Sequence, residues 1–396
     1  MYIPFLLFIT EAVEFTTKKL IEFLNSSATI CTGYYQVKTI PTKRTFWQAG
    51  GDGAGRSTIL IKEIIGKVVE GRDLSIDESK AIISEIMDGK VTGVQIGAFI
   101  TALRMKGETV DEITGCAMVM REKATRIDTG NDIVVDTCGT GGDSKCTFNI
   151  STAAAFVVAG AGLKVAKHGS TASSSHCGSA DVLKLLGVNV KAAPEIVERC
   201  IREVNIGFLL APLLHGSMKY AVLPRREIGI KTIFNILGPL TNPARTKRQV
   251  IGVYEAKLTD TVAKVLKNLG TEHAFVVYGY DGLDEITTTD KTKVCELKNG
   301  KIKSYFITHE SFGIEKAEIK DFVVQSPEES ATAINKILSG TKGPMRDIVL
   351  LNASAAIVAG GGAPDLRHGI RLAAESVDSG RAKVSLDRLV KISQES

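Results

Sequence analysis

DTCGTGGDSKCTFNIST runs from Asp136 to Thr152. An apolar β-branched run, Ile133-Val134-Val135, leads into it and reads as a buried strand. A glycine-dense turn follows at Gly139-Thr140-Gly141-Gly142-Asp143, and Asn149, Ile150, Ser151 and Thr152 then open an alanine-rich helix at Ala153-Ala154-Ala155. Strand, glycine loop and polar helix start together describe a place where backbone N–H groups gather around phosphate. Without Cβ atoms the glycines let the backbone approach an anion closely and adopt positive φ. The hydroxyls of Thr140, Ser151 and Thr152 add donors, and the positive end of the helix dipole faces the same space. The loop is not GxGxxG, because residue 144 is Ser, and it lacks the GK[ST] of a Walker A sequence.

Working downstream, Leu163-Lys164-Val165-Ala166 reads as a second strand, so Lys167-His168-Gly169 sits where a strand ends. Ligands of open α/β sheets bind at such ends. Ser173-Ser174-Ser175 and Cys177-Gly178-Ser179-Ala180-Asp181 follow, with Asp181 in the first turn of the next helix. Two Gly/Ser/Thr-rich strand exits in succession form a natural phosphosugar cradle. From Asp132 onward short β-branched runs alternate with helical stretches, among them Val250-Ile251-Gly252-Val253 and Ala274-Phe275-Val276-Val277-Tyr278. That alternation is the signature of an α/β domain.

Upstream, residues 59–127 read as helices. Ile61, Ile64-Ile65 and Val68-Val69 recur at helical spacing, and Ser75-x-x-Glu78, Thr92-x-x-Gln95 and Thr109-x-x-Glu112 are capping boxes. Gly89 and Gly107 stand where C-caps belong. Residues 194–236 also look mainly helical, starting at Pro194 in an N1-like position. Residues 1–58 read as a partly disordered extension, with Gly50-Gly51-Asp52-Gly53-Ala54-Gly55 as a flexible linker. Tyr2 to Ile9 is apolar but too short to span a membrane, and it lacks a positive n-region and a small-residue cleavage site.

A chain of 396 residues that is 44% hydrophobic can bury a large core over two domains. The net charge of +5 is modest and not gathered into long basic runs, so it argues only feebly for nucleic acid as the partner. Seven cysteines without a CxxC spacing suit reduced thiols in a cytoplasmic protein. Cys138, Cys146 and Cys177 read as small packing residues among the loop motifs. No HExxH and no nucleophile elbow with a Ser-His-Asp set occur.

GTGGD, NIST, KHG, GSADVL, the long run Pro224 to Ala244 (PRREIGIKTIFNILGPLTNPA) and GLDE at Gly282 to Glu285 occur in that order. Together they resemble the anthranilate phosphoribosyltransferase family of tryptophan biosynthesis, over roughly Ile59 to the C-terminus. The resemblance implies an α/β protein with a small all-helical domain and a large α/β domain whose central mixed sheet is flanked by helices. It places the helical domain at 59–128 and about 194–236, and the phosphoribosyl-binding α/β domain at 129–193 and about 237–396. The active site then lies in the interdomain cleft, and the protein dimerises through its helical domain. The implied reaction transfers the phosphoribosyl group of 5-phosphoribosyl pyrophosphate (PRPP) to the amine of anthranilate, with about two Mg²⁺ per site. Residue by residue, Gly139, Thr140, Gly142, Asp143, Thr147, Asn149, Ile150, Ser151, Thr152, Lys167, Ser175 and Ser179 are the implied PRPP contacts. Ser151, Asp284 and Glu285 are the implied metal contacts, and Gly139, Ser170 and Arg225 the anthranilate contacts. His168 and Arg225 position substrate, and no residue is an obligatory acid or base.

The residue chemistry is consistent with those roles. Magnesium is hard and is often held by one or two carboxylates plus substrate phosphates, which suits adjacent Asp284 and Glu285. The planar fork of Arg225 can grip a carboxylate bidentately. An aromatic amine is unprotonated at neutral pH, so positioning and electrostatics can supply most of the catalysis. The chain departs from the family pattern after KHG, where Ser170-Thr171 replaces Asn-Arg, where His176 replaces Lys or Arg, and at Gly216-Ser217 in place of Pro-Ala. Loss of an amide donor to a charged ligand group costs on the order of 1.5–3 kcal/mol. Two other readings follow: glycosyl transfer to a different aromatic acceptor, or a non-catalytic relative that binds nucleic acid.

Overall fold

The computed structural model describes residues 53–142, 145–171 and 177–395. The extension therefore lies outside the described residues up to position 52, as do Asp143, Ser175 and His176. The first helix, α1, spans Gly53–Val69, so the expected glycine linker is helical from Gly53 onward. Once the buried face of Ile61, Ile64 and Val68 holds the helix, extending it upstream adds hydrogen bonds without a new nucleation cost. Helices α2 (Ile76–Met87), α3 (Gly93–Lys106) and α4 (Val110–Lys123) follow, each opened by the expected capping box. At Ser75 the hydroxyl accepts from the Glu78 N–H at 3.2 Å, and the Glu78 carboxylate accepts from the Ser75 N–H at 2.8 Å.

The α/β part follows as β1 (Val134–Gly139), α5 (Ile150–Gly160), β2 (Lys164–Gly169), α6 (Ser179–Leu185), α7 (Pro194–Val204) and β3 (Ile206–Leu210). The helical run expected over 194–236 is thus broken by a strand. Ile206-Gly207-Phe208-Leu209-Leu210 is apolar, fully buried and paired with β2, and α7 packs on β3 and on the C-terminal helix. A continuous apolar run is what a strand buried on both faces requires, and periodicity alone cannot separate it from a buried helix. The chain then passes through α8 (Ala211–Leu214), α9 (Lys219–Ile228) and α10 (Ile233–Leu240), and the last two pack on α3 and α4.

The remaining elements are β4 (Arg248–Gly252), α11 (Leu258–Asn268), β5 (His273–Gly279), β6 (Thr292–Lys298), β7 (Lys301–Ile307), α12 (Pro327–Leu338), α13 (Pro344–Ala359), α14 (Leu366–Asp378) and α15 (Arg381–Ser393). The seven strands form one mixed sheet in the order β3-β2-β1-β4-β5-β6-β7, parallel through β5 and antiparallel at β6 and β7. Its two faces belong to different cores. Val250, Phe275 and Val277 pack with α5 and the C-terminal helices, whereas Ile251, Ala274 and Val276 pack with α11, α10 and helices α1 to α4. Neighbouring positions alternate between the two, as the period of two demands. Among the described residues no helix is long and apolar enough to cross a membrane.

Candidate active site

A cavity of about 590 Å³ opens where the C-terminal ends of β1 and β2 meet helices α9 and α10. Its walls contain Gly139, Thr140, Gly142, Thr147, Asn149, Ile150 and Ser151 from the glycine loop and helix start. They also contain Lys167, His168, Ser170 and Ser179 from the second strand exit, Arg225 from α9, and Asp284 and Glu285 from the turn after β5. Thr152 stands apart from this set. Its side chain is fully buried on the core side and its N–H donates to the Asn149 carbonyl, so neither group is offered to the cavity. One residue along a helix turns the side chain by about 100°, which separates Thr152 from Ser151.

The glycine loop is shaped by contacts on every side. Gly141 and Gly142 have φ of 65° and 76°, values that suit glycine. The Thr140 N–H donates to the Gly252 carbonyl at 2.9 Å, and the Tyr254 N–H donates to the Thr140 hydroxyl at 3.1 Å. Beyond the loop, the Phe148 N–H bonds the Phe322 carbonyl and the Val324 N–H bonds the Cys146 carbonyl. Asn149 is clasped by Ser330, whose hydroxyl donates to Asn149 Oδ1 at 2.8 Å and accepts from the Asn149 N–H at 3.0 Å.

The acidic turn sits directly against the loop. The Gly141 N–H donates to Asp284 Oδ2 at 2.8 Å. A Cβ on Gly139 would lie 2.4 Å from that same oxygen, and one on Gly252 would lie 1.5 Å from the Asp284 carbonyl oxygen. Gly252 is therefore required for the turn to approach, and Gly139 leaves room for the Asp284 carboxylate. Asp284 and Glu285 present adjacent carboxylates to the cavity, and no group of three His, Cys, Asp or Glu side chains forms a closed cage among the described residues. That donor set fits a hard cation that completes its shell with substrate oxygens and water.

Lys167 is almost wholly buried; its ammonium donates to the Thr137 carbonyl and, at 3.3 Å, to Ser151 Oγ. Burial lowers its pKa, opposed by the charge of Asp136. Burial raises the Asp136 pKa, opposed by Lys167, by Asn242 and by the His168 N–H. Asn242 Nδ2 donates to Asp136 Oδ2 at 2.7 Å and to the Ala166 carbonyl at 2.8 Å, which ties β1 to β2 beneath the cavity. A phosphate arriving beside Lys167 would favour its charged form.

Arg225 projects from α9 with its guanidinium 5.1 Å above the Phe234 ring. Burial lowers its pKa with no neighbouring charge opposing the shift, and it makes no ion pair with Glu227 or any other described carboxylate. His168 and His215 lie with ring centroids 5.1 Å apart. Burial lowers their pKa values to about 3 and about 4, helped at His168 by the neighbouring imidazole. His168 Nδ1 faces the Gly238 carbonyl at 3.2 Å, and a carbonyl can only accept, so Nδ1 carries the proton. Nε2 of each ring is buried without a partner among the described residues. Cys138 and Cys177 also line the cavity, and burial pushes both thiols up, Cys177 to about 11.

Sequence reasoning passed over Lys231, Phe234, Gly252 and Tyr254. The first two fall within the Pro224–Ala244 run, but nothing in their spacing distinguishes them from packing residues. Gly252 could be found only from the close approach of a turn more than thirty positions away.

Residues 62–124 match the family described as the glycosyl transferase family, helical bundle domain, and residues 131–383 match the glycosyl transferase family, a/b domain. Fold and site thus define a glycosyltransferase built from a helical bundle and an α/β domain. An anthranilate phosphoribosyltransferase of Alkaliphilus metalliredigens is 53% identical over 336 residues, covering 85% of this chain and 99% of the relative. The crystal structure of the Thermus thermophilus enzyme of that name superposes with a TM-score of 0.80 at 38% identity, covering 84% of this chain and 99% of its own. The Saccharomyces cerevisiae enzyme in complex with PRPP and Mg gives a TM-score of 0.77 at 28% identity over 85% of this chain and 98% of its own, and it is also known in complex with 4-fluoroanthranilate. The chain belongs to the anthranilate phosphoribosyltransferase family.

Proposed function

We propose that this protein transfers the 5-phosphoribosyl group of PRPP to the amine of anthranilate, giving N-(5-phosphoribosyl)anthranilate and pyrophosphate in the route to tryptophan. The observation that carries this reading is a single cavity in which a glycine loop, a buried lysine, an acidic pair and an arginine without a described carboxylate partner all converge. The glycine loop, the hydroxyls of Thr147, Ser151 and Ser179, and Lys167 bind the phosphates of PRPP. Asp284 and Glu285, with Ser151, would hold Mg²⁺, which supplies charge neutralisation for the pyrophosphate oxygens. Arg225 engages the anthranilate carboxylate with Gly139 and Ser170 alongside. The C1–O bond to pyrophosphate breaks as positive charge develops on the ribose, the amine lone pair forms the new N–C1 bond, and the nitrogen then releases one proton to solvent or to the departing pyrophosphate. His168 stands in the cavity wall as a positioning residue. Both imidazoles stay neutral at physiological pH and so add no charge beside the developing cation.

The helical lobe in this reading comprises the residues from Gly53 to Lys123 together with Lys219 to Leu240. The active protein is a homodimer joined through that lobe, which exposes Val94, Val222, Leu223 and Ile230. Six described cysteines without a disulfide suit a cytoplasmic protein. Loss of anthranilate fluorescence on adding PRPP and Mg²⁺, with release of pyrophosphate, tests the reaction. Magnesium-dependent loss that EDTA abolishes supports it, and no loss despite PRPP binding overturns the acceptor assignment. A different aromatic acceptor is the second reading, favoured by the short hydroxyl of Ser170 in the cavity wall. A panel of aromatic amines in which anthranilate ranks first eliminates it.

A further inference from the structure

We propose that Lys231 is a positioning residue for the glycine loop and thereby a determinant of PRPP affinity, an inference that rests on the PRPP reading above. Lys231 belongs to the helical lobe, two residues after Gly229 caps α9 and one before Thr232 begins the capping box of α10. Those caps fix its backbone. Its Nζ donates across the cleft to the Gly142 carbonyl at 2.6 Å and stands 4.1 Å above the centroid of the Tyr254 ring. The ring is no passive support, because the Tyr254 N–H is bonded to the Thr140 hydroxyl of the same loop. Lysine, aromatic ring and loop therefore form one closed set of contacts.

The loop needs such a hold. Gly141 and Gly142 are consecutive residues at positive φ, and glycine loses more backbone freedom on ordering than any other residue. Asp284 holds the loop by the Gly141 N–H, and Lys231 holds the next residue by its carbonyl. A charge-assisted hydrogen bond is shorter and stronger than a neutral one, which suits a contact that must select one conformation from many. A carbonyl released from the ammonium could swing its negative end toward the bound pyrophosphate. Lys231 does not line the cavity itself, so its action passes through the loop. Because it is anchored in the helical lobe, it makes the order of the PRPP loop depend on the two lobes keeping their spacing.

The test uses the full chain carrying Lys231→Met, with Lys231→Arg as the conservative partner. PRPP affinity is read by calorimetry with Mg²⁺ and no acceptor, and the Michaelis constants of both substrates by the fluorescence assay. Lys231→Met is expected to weaken PRPP roughly tenfold or more, the worth of one charge-assisted hydrogen bond, while the anthranilate KM holds within about twofold. Lys231→Arg should recover most of the loss. Amide exchange at Gly141 and Gly142 should quicken in Lys231→Met with no substrate present. Unchanged PRPP affinity, unchanged loop exchange, or an equal loss for both substrates overturns the role of Lys231. Failure of the wild-type protein to bind PRPP overturns the reading beneath it instead. Should Lys231→Met not fold, Lys231→Ala removes the same donor, and unchanged PRPP affinity there refutes the inference equally.

Discussion

Gly252→Ala is the sharpest perturbation that the geometry offers. Gly252 ends β4, opposite Gly139 in the ladder, and its side-chain position is occupied by the turn bearing the acidic pair. A Cβ there would stand 1.5 Å from the Asp284 carbonyl oxygen and 2.4 Å from its carbonyl carbon, against an ordinary contact that begins at 3.4 Å. Neither atom is the end of a flexible side chain, so backbone must retreat by nearly 2 Å. The sheet side is held by the Gly252 carbonyl accepting from the Thr140 N–H, so the Asp284 turn is the part that yields. Overpacking of this kind costs about 1–3 kcal/mol of stability, a few degrees in melting temperature for a domain of this size. Catalysis suffers more, because a misplacement of about 1 Å can cost a hundredfold. Steady-state rates measured while Mg²⁺ is titrated at fixed PRPP should show at least a hundredfold lower kcat/KM and a raised magnesium requirement. Circular dichroism and a thermal melt establish that the variant is folded. A folded Gly252→Ala protein with magnesium half-saturation and kcat close to wild type would refute the seating of the acidic turn on β4.

Three further outcomes follow from the same contacts. Gly66 lies on the exposed side of α1, and a methyl group placed on it would meet nothing within 4 Å, so Gly66→Ala should raise stability by about 0.5–1 kcal/mol in a denaturant melt without changing turnover. His168 and His215 have folded pKa values of about 3 and about 4, below the ordinary 6.5. The unfolded chain thus binds more protons than the folded one below pH 6.5, and stability should fall as pH drops from there toward 4 and be insensitive to these groups above. Thermal melts of wild type and of a protein carrying His168→Asn and His215→Asn check the sign, since the double variant should lose less over that window. Ser170→Asn restores an amide donor to the cavity wall and should lower the anthranilate KM up to about tenfold with the PRPP KM unchanged; an unaltered or higher anthranilate KM counts against Ser170 as an acceptor contact.

Most of the local structure was legible because the residues that set it lie close together in sequence. The capping boxes at Ser75, Thr92 and Thr109 each need only four residues, and all three form as read. The two strand exits at Gly139 and Gly169 are marked by strand-like runs giving way to glycine, and they bring Ser151, Lys167 and Ser179 to the cavity. Ile206–Leu210 was misread because five apolar residues carry no periodicity, and only the partner strand β2 decides between helix and strand. Thr152 was grouped with Ser151 because a sequence does not display which side of a helix start faces the ligand. Gly252 and Lys231 were illegible for a different reason. Each matters through a residue brought near only by the closed sheet, Asp284 in one case and Gly142 in the other.

The shared face of the sheet bears on how the chain folds. The two family matches divide the protein between residues 124 and 131, yet the hydrophobic core does not divide there. Ile251 of β4, Val253 just after it, and Ala274 and Val276 of β5 pack in one cluster with Ile82, Phe99, Ile113 and Leu237. Cutting the helices away would leave an apolar sheet surface facing water, and cutting the sheet away would leave the helices without a floor. The two halves share one buried cluster, so exchanging helical lobes between relatives would demand matching residues on β4 and β5 as well.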